Sequence, residues 1–457
     1  MKTLLYFTHD LRIHDNAALS LACQSASGLA CVYCIHRDWF TPGAFGLKPI
    51  ESIRWQFLQE TLHELNSALQ AMGQRLYIFY GNPKQLLSEM ITQNNIQHII
   101  TSRQFTYYET SLIADLQQQT PTIKFTSVDN YTLFNKRQFS AFDSFPETFS
   151  KFKKAVSHLV VEQELSTVTQ MPPLLRLSTP VTAKHPIPPT SVKSLPIHAG
   201  EGAALLHLEQ YFQSGAASTY KETRNALDGW SNSCKLSPWL ACGALSVRTV
   251  VARLRSYEAQ HKRNESTDWI FFELLWREYF QWYARYHKSR LFCFHGIGHY
   301  KSKPLTSFYP QRFKQWANGQ TPWPIVNACM RELNETGYIS NRSRQIVASC
   351  LVNELSLDWR CGAAYFEQQL IDYDPAVNWG NWQYIAGVGA DPRGGRHFNL
   401  AKQTALFDPH NQYINRWLGL DEQRQTLPPV IDAVDAADWP VMPASLNSGA
   451  QDGTKLH

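Results

Sequence analysis

The sequence predicts a two-domain protein, an α/β N-terminal domain with a Rossmann-like parallel sheet followed by an all-α C-terminal domain. Three observations carry that reading. Short apolar runs alternate with amphipathic segments as far as residue 126, proline crowds the stretch around 171–197, and from about 200 helical patterning and tryptophan dominate. A chain of 457 residues is also too long for one ordinary core.

The first strand is TLLYF at 3–7, followed by the loop DLRIHDN and an Ala/Leu-rich helix from about 16. A second strand near 29–35 leads to a loop with Pro42, Gly43 and Gly46. The helix over about 51–72 spaces Ile53, Phe57, Leu58, Leu62, Leu65 and Leu69 along one side. RLYIFY forms the third strand and stops at Gly81–Pro83; helix 84–93, strand 98–101, helix 109–118 and strand 123–126 complete the series. Such alternation argues for a parallel sheet covered on both faces. No GxGxxG follows the first strand, so the common dinucleotide fingerprint is missing. Cys31 and Cys34 form a CxxC within a strand, where positions three apart point to opposite faces. With no second CxxC, they are expected to be core thiols, and nine scattered cysteines make no disulfide framework.

These elements divide the chain into an α/β domain (1–134), an extended linker (135–199) containing MPP and PIPP, a helical domain (200–420) and a polar tail (421–457) expected to be poorly ordered. Hydrophobic residues make up 44% and aromatics 13%, with 14 Trp, a globular composition. The net charge of +5 permits a basic groove without demonstrating nucleic-acid binding. No apolar run reaches the roughly 20 residues of a membrane span. The N-terminus MKTLLYFTHD reads as a strand rather than a signal peptide, so a cytoplasmic monomer is expected.

Candidate chemistry concentrates between Gly337 and Gly389, where Arg342, Arg344, Asp372 and Asp374 interrupt apolar sequence. Charges are seldom buried unless paired or bound. Asn341 and Arg344 share a helix face, and Asp372 and Asp374 fall at a turn containing Pro375. Trp359, Trp379 and Trp382 follow closely, which suggests a large ligand gripped by amides and ion pairs with indoles behind it. Upstream, hydroxyl residues precede Leu236-Ser237-Pro238, a helix start whose N–H groups suit a phosphate. In DWIFFELLWREYFQWYARY, Glu273, Trp276 and Arg277 lie within one turn, and Glu273 with Arg277 forms an i,i+4 acid–base pair. Apolar neighbours all round bury that helix and make its charges costly.

The motifs YFTHDLRIHDN, TFSKFKKAV, STYKETRN, KLSPWLACGALS, ELLWREYFQW, GYISNRSRQIVAS, LIDYD and NWGNWQYIAGVGADPRGGRHFN, in this order, resemble the photolyase/cryptochrome flavoproteins, and among them the DASH cryptochromes, over residues 1 to about 420. The resemblance implies FAD in the helical domain. Tyr220, Ser233, Cys234, Lys235, Leu236 and Ser237 would hold its phosphates; Cys234 stands where many relatives have Ser or Thr. Asn341, Arg344, Asp372, Asp374 and Asn378 would surround the isoalloxazine, with Arg344 and Asp372 as an ion pair, Asn378 facing the reactive nitrogen, and Glu273 and Arg277 completing the cofactor set.

The implied activity is blue-light-driven electron transfer from reduced FAD that splits cyclobutane pyrimidine dimers, preferentially in single-stranded or looped DNA. Glu273 would bond the damaged bases and Trp276 stack on them, with Gln345 and Tyr384 as walls and Arg342, Arg393 and Arg396, plus Lys221 and Arg224, near the phosphates. Trp382 and Trp359 match an electron relay whose third position aligns with Thr306, leaving Phe308, Tyr309, Tyr300 or Trp316 as substitutes. An antenna, 5,10-methenyltetrahydrofolate, would use Gln104 and Glu109. A signalling photoreceptor acting through a partner, or a light-independent flavin-containing regulator, are the competing readings.

Overall fold

Five strands build one all-parallel sheet: β1 (Lys2–Phe7), β2 (Gly28–His36), β3 (Leu76–Gly81), β4 (His98–Ser102) and β5 (Lys124–Val128), ordered β3-β2-β1-β4-β5. The computed structural model describes residues 1–419 except 44, 140–143, 184–185, 191–193, 298–308 and 392–394. Tyr300, Thr306, Phe308, Arg393 and the tail from 421 therefore lie outside the described residues.

Strand periodicity sorts the apolar residues onto two faces. Leu5, Phe7, Cys31, Tyr33 and Ile35 pack on one side beneath the helices Ala17–Ser25 and Ser52–Ala71. Leu4, Tyr6, Val32 and Cys34 pack on the other, beneath Pro83–Asn94 and Tyr107–Gln119. Cys31 and Cys34 are thus core thiols on opposite faces. Asn16 and Asn82 cap the first helix of each layer with their side-chain oxygens, and Pro83 opens its helix as well as ending the strand before it.

The loop DLRIHDN is a structural clamp. Arg12, buried with 1% exposure, donates to the carbonyls of His14, Asp15, Asn130 and Gly243 at 2.8–3.0 Å. Asp15 pairs with buried Arg248 at 2.8 Å. Gly243 lies at φ +73, and a Cβ there would sit 1.9 Å from the His9 carbonyl oxygen, so only glycine permits this approach.

The lapse in pattern after 135 hides a helix, Phe149–Val156, which buries Phe149, Phe152 and Val156. Its eight residues are too few to show a clear period in sequence. Later in the same stretch, Leu174 bridges to Leu29 of β2. By contacts the chain forms two compact units, one of 1–224, 229–291 and 366–380, the other of 225–228, 292–365 and 381–457. Among the described residues, no helix is long and apolar enough to cross a membrane.

In the first unit, Glu278 on the helix Glu265–His287 is fully buried and accepts from Leu133 N (2.7 Å), Phe134 N (3.3 Å) and the Trp282 indole (2.7 Å). Burial pushes its carboxyl up to about 7, against the pull of those three donors. Between the unfolded value near 4.5 and about 7, the folded state binds the extra proton, so stability falls as pH rises through that window. The fall is at most about 3 kcal/mol. Urea midpoints at pH 5 and pH 8 should show it in the wild type, and Glu278→Gln should lack that component.

Candidate active site

Two groups of predicted site residues lie in the first unit. Tyr220 is buried in the short helix Tyr220–Thr223. Ser233 and Cys234 lead to Lys235, which adopts φ +46, a left-handed backbone that is unusual for a lysine. Leu236 then opens the helix Ser237–Cys242, and no side chain caps its start. A sharp turn followed by an uncapped helix start leaves N–H groups for an anion. The Cys234 carbonyl is already engaged by His207 Nε2 at 2.9 Å.

The second group is Asp372, Asp374 and Asn378, each under 10% exposed. The helix Trp359–Gln369 ends just before the two aspartates, and Pro375–Ala386, which carries Asn378, begins just after them, as the sequence turn suggested. Asp374 spends its whole carboxylate on the protein. Oδ1 accepts from Ala376 N (3.0 Å) and Val377 N (3.1 Å), which caps the helix. Oδ2 accepts from Tyr131 Oη (3.0 Å) and Gln281 Nε2 (2.5 Å). Four donors fill the roughly four acceptor positions of a carboxylate.

Glu273 and Arg277 do not pair, contrary to the i,i+4 expectation. Glu273 Oε1 takes an ion pair from Arg224 and a hydrogen bond from the Trp269 indole at 3.1 Å. Arg277 turns the other way, donates to Tyr131 O (2.8 Å) and Leu240 O (3.3 Å), and lies 4.2 Å from the Tyr131 ring centroid. Three partners in hand outweigh one exposed helix pair worth a few tenths of a kcal/mol, about 0.3–0.5. Burial raises the Glu273 carboxyl above its usual range, while Arg224 and Trp269 hold it down in part. Lys221 pairs with Glu265 at 2.6 Å. Trp276 stacks on Phe149 at 3.7 Å and 6°, and Phe272 meets Phe149 edge-on at 5.1 Å. Phe149 belongs to the TFSKFKKAV motif, yet nothing in the sequence ties that motif to Trp276.

Gln104 and Glu109 meet in one narrow cleft, at the carboxyl ends of β1 and β4 where the strand order reverses. Thr8, His9, Tyr131, Gln281 and Asp374 share its lining. Gln104 Nε2 donates to Thr8 Oγ1 (2.7 Å) and Ser102 O (2.8 Å). Glu109 pairs with His9 Nε2 at 2.7 Å and accepts from Thr106. Burial would push His9 down, but Glu109 outweighs it and the net shift is upward; Glu109, despite burial, is held low by His9.

In the second unit, Asn341 opens the helix Asn341–Ser349, capped by Ser340, and is exposed. Arg344 donates Nε to Ile339 O at 3.1 Å and lies over the Tyr338 ring. Arg342 bonds Asn225 Oδ1 at 3.0 Å, with its guanidinium 4.7 Å from the Phe407 centroid. Gln345 and Tyr384 are half-buried. Trp359 and Trp382 are both buried, and the Trp359 indole donates to Phe294 O at 3.0 Å. Trp382 lies on Gly362, where any Cβ would come within 2.2 Å of its ring. Trp316 lies edge-on to it at 6.3 Å and in turn contacts Tyr365 at 5.5 Å.

The family comparisons match both halves of this architecture. Residues 3–173 fit the model described as DNA photolyase and 269–431 that described as FAD binding domain of DNA photolyase. A curated Cryptochrome DASH of Idiomarina loihiensis is 49% identical, with 96% of each chain covered, and one of Vibrio parahaemolyticus is 46% identical, with 96% and 97% covered. The chain belongs to the DASH cryptochromes. Among solved structures, a Synechocystis cryptochrome superposes with TM-score 0.87 at 34% identity, over 97% of this chain and 94% of that one. An archaeal photolyase from Sulfolobus tokodaii gives 0.74 at 27%, over 96% and 95%.

A DASH cryptochrome carries the FAD-binding domain of the photolyases. Tyr131, Gln281 and Phe149 are the supporting residues that the sequence alone leaves without a role. Each acts through a partner more than 90 positions away in sequence, as in Gln281–Asp374 and Tyr131–Asp374, or packs from another element. No local pattern marks such pairs.

Proposed function

We propose that this DASH cryptochrome is a blue-light-dependent deoxyribodipyrimidine photo-lyase that repairs cyclobutane pyrimidine dimers, preferentially in single-stranded or looped DNA. The observation that carries the reading is the pairing of Glu273, raised by burial, with Trp276 held flat against Phe149 on the same helix. A carboxyl fixed by Arg224 and the Trp269 indole suits hydrogen bonding to an extruded pyrimidine, and a rigid indole face suits stacking on it. A photoreceptor that signals only through a partner has no need of this pair.

The residues present fit a flavin dinucleotide. The Lys235 turn and the uncapped start of Ser237–Cys242 suit its phosphates, and buried Asp372 and Asn378 supply polar groups for a ring system. FAD, when bound and reduced, supplies the light-driven electron. In the first unit Ser233, Cys234, Lys235, Leu236 and Ser237 would anchor it, Asp372 and Asn378 would orient it, and Asp374 fixes the helix that carries Asn378; the resemblance adds Asn341 and Arg344. Trp382, Trp359 and Trp316 conduct an electron through the second unit, with Trp316 serving where Thr306 replaces the third relay tryptophan.

Folate is a poorer fit. The cleft has about 10 Å³ of free space, room for about one water and far below a ligand pocket of about 300–1,000 Å³. Gln104 has committed its amide nitrogen and Glu109 its charge to neighbours.

The deciding assay is blue illumination of the reduced protein with dimer-containing oligonucleotides, reading recovery of pyrimidine absorbance. Recovery should be faster on single strands than on duplex, because extrusion from a duplex costs a few kcal/mol. No recovery on single strands would sink the repair reading, and equal rates on both would remove the strand preference.

A further inference from the structure

The backbone reverses its hand across the turn that leads to Leu236. Ser233 is extended at φ −145 and ψ 164, Lys235 swings to φ +46, and Leu236 returns to φ −83 and ψ −9. Opposite-handed neighbours of this kind curve the chain into a concavity that suits an anion. A left-handed lysine costs roughly 1–3 kcal/mol and persists only where its surroundings over-determine it. Two side chains to which the sequence gives no role do so here.

His207 supplies the first restraint. It lies on the helix Glu201–Gln213, buried, and its Nε2 meets the Cys234 carbonyl oxygen at 2.9 Å. A carbonyl only accepts, so Nε2 carries the hydrogen. Burial lowers the pKa of the ring, against the pull of that carbonyl, and favours neutral imidazole. Because a peptide unit is planar, anchoring the Cys234 carbonyl fixes the whole unit immediately before the strained residue.

Trp230 supplies the second. Gly229 takes φ +97, and a Cβ there would stand 2.3 Å from Asn232 Nδ2, so a tight turn sets Trp230 out at the surface. Its ring meets His207 edge-on at 5.3 Å and lies 5.8 Å from the Lys235 ammonium, which is 3.4 Å from Ser233 Oγ. On its other flank His207 meets the Trp239 ring at 5.0 Å. All of these residues belong to the first unit.

We propose that His207 and Trp230 are positioning residues that hold the Ser233–Ser237 turn in its phosphate-binding shape, and so set how tightly the protein keeps a flavin dinucleotide. His207 acts through the Cys234 carbonyl, and Trp230 through the His207 ring and the Lys235 side chain. This rests on the flavin reading, in which that turn takes the pyrophosphate.

Two ligands separate the turn from the rest of the cofactor site. Titrating the flavin-free full-length chain with FAD, followed by flavin fluorescence, gives one Kd. Inorganic pyrophosphate competing in the same titration gives the affinity of the turn alone. His207→Leu should weaken both about fivefold, one hydrogen bond's worth, and Trp230→Ala both about threefold. His207→Gln keeps an N–H donor and Trp230→Phe a ring face, so each should stay within about twofold of the wild type. Trp230→Ala alters a surface side chain and carries the test where His207→Leu does not fold. FAD weakened with pyrophosphate unchanged would put the damage elsewhere in the site and overturn the proposal. So would unchanged affinities in the leucine and alanine variants, or a glutamine variant as weak as the leucine one. A wild type in which pyrophosphate does not compete overturns the phosphate reading of the turn, and one that takes up no FAD overturns the flavin reading. The proposal falls with either.

Discussion

Trp382→Phe should abolish light-driven reduction of the bound flavin. Trp382 is buried to 2% exposure, held by Gly362 on one side and edge-on to Trp316 on the other. Phenylalanine keeps the packing but is far harder to oxidise than an indole, so the change removes an electron donor without opening a large cavity. The expected loss exceeds about tenfold in the photoreduction rate, roughly 1.4 kcal/mol of barrier or more. Bleaching of the flavin absorbance under blue light, with an external thiol present, measures it. Chemical reduction with dithionite in the same sample shows that the cofactor is in place. Trp316→Phe should slow the reaction severalfold, since Trp316 touches Trp382 and hands on to Tyr365. An unchanged rate in Trp382→Phe would take Trp382 off the path.

Asp374→Ala should be the most destabilising single change in the first unit's site. It deletes the cap of the helix that starts at Pro375 and strands the buried Gln281 amide, while Tyr131 Oη keeps a second acceptor in Ala241 O at 3.0 Å. Cap loss costs about 1 kcal/mol and an orphaned buried donor about 1–3, so roughly 3 kcal/mol in all. Asp374→Asn is the informative control. Its oxygen still caps the helix, its NH2 can donate to Tyr131 Oη, and the Gln281 amide can flip to present its oxygen, so the loss should stay within about 1 kcal/mol. Urea denaturation of both variants checks this, and flavin content after gel filtration reports whether the helix carrying Asn378 has shifted. Equal stability of the alanine and asparagine variants would show that Asp374 does not cap the helix.

The sheet was legible because its signal is local. Strand runs such as TLLYF and RLYIFY are apolar on both faces, and the helices between them repeat at their own period. CxxC in β2 could be resolved into two core positions from the strand period alone. The short helix Phe149–Val156 was not, since two turns in a proline-bounded stretch carry too little periodicity to stand out.

The active-site residue types were legible for a different reason. Charges and indoles among apolar residues are costly to bury unless something binds them, so Asp372, Asp374, Trp359 and Trp382 stood out as candidates in the sequence, and all four are buried; Asn378 came through the resemblance. Partner choice was not. Arg277 stands one helical turn from Glu273 yet bonds carbonyls 146 and 37 residues away, while Arg224 crosses 49 positions to take the carboxylate. Arg396, which the sequence places in a glycine-rich loop, has an ion pair with Asp391 and a bond to Tyr384 that no local pattern marks.

What the sequence by itself determined is therefore the inventory: a parallel sheet, a helical flavin domain, and a set of candidate side chains. Periodicity and residue chemistry are properties of neighbours along the chain. Only the tertiary structure decided which charge meets which, because a buried ion or donor takes the partner that packing brings closest, and that partner comes from segments distant in sequence.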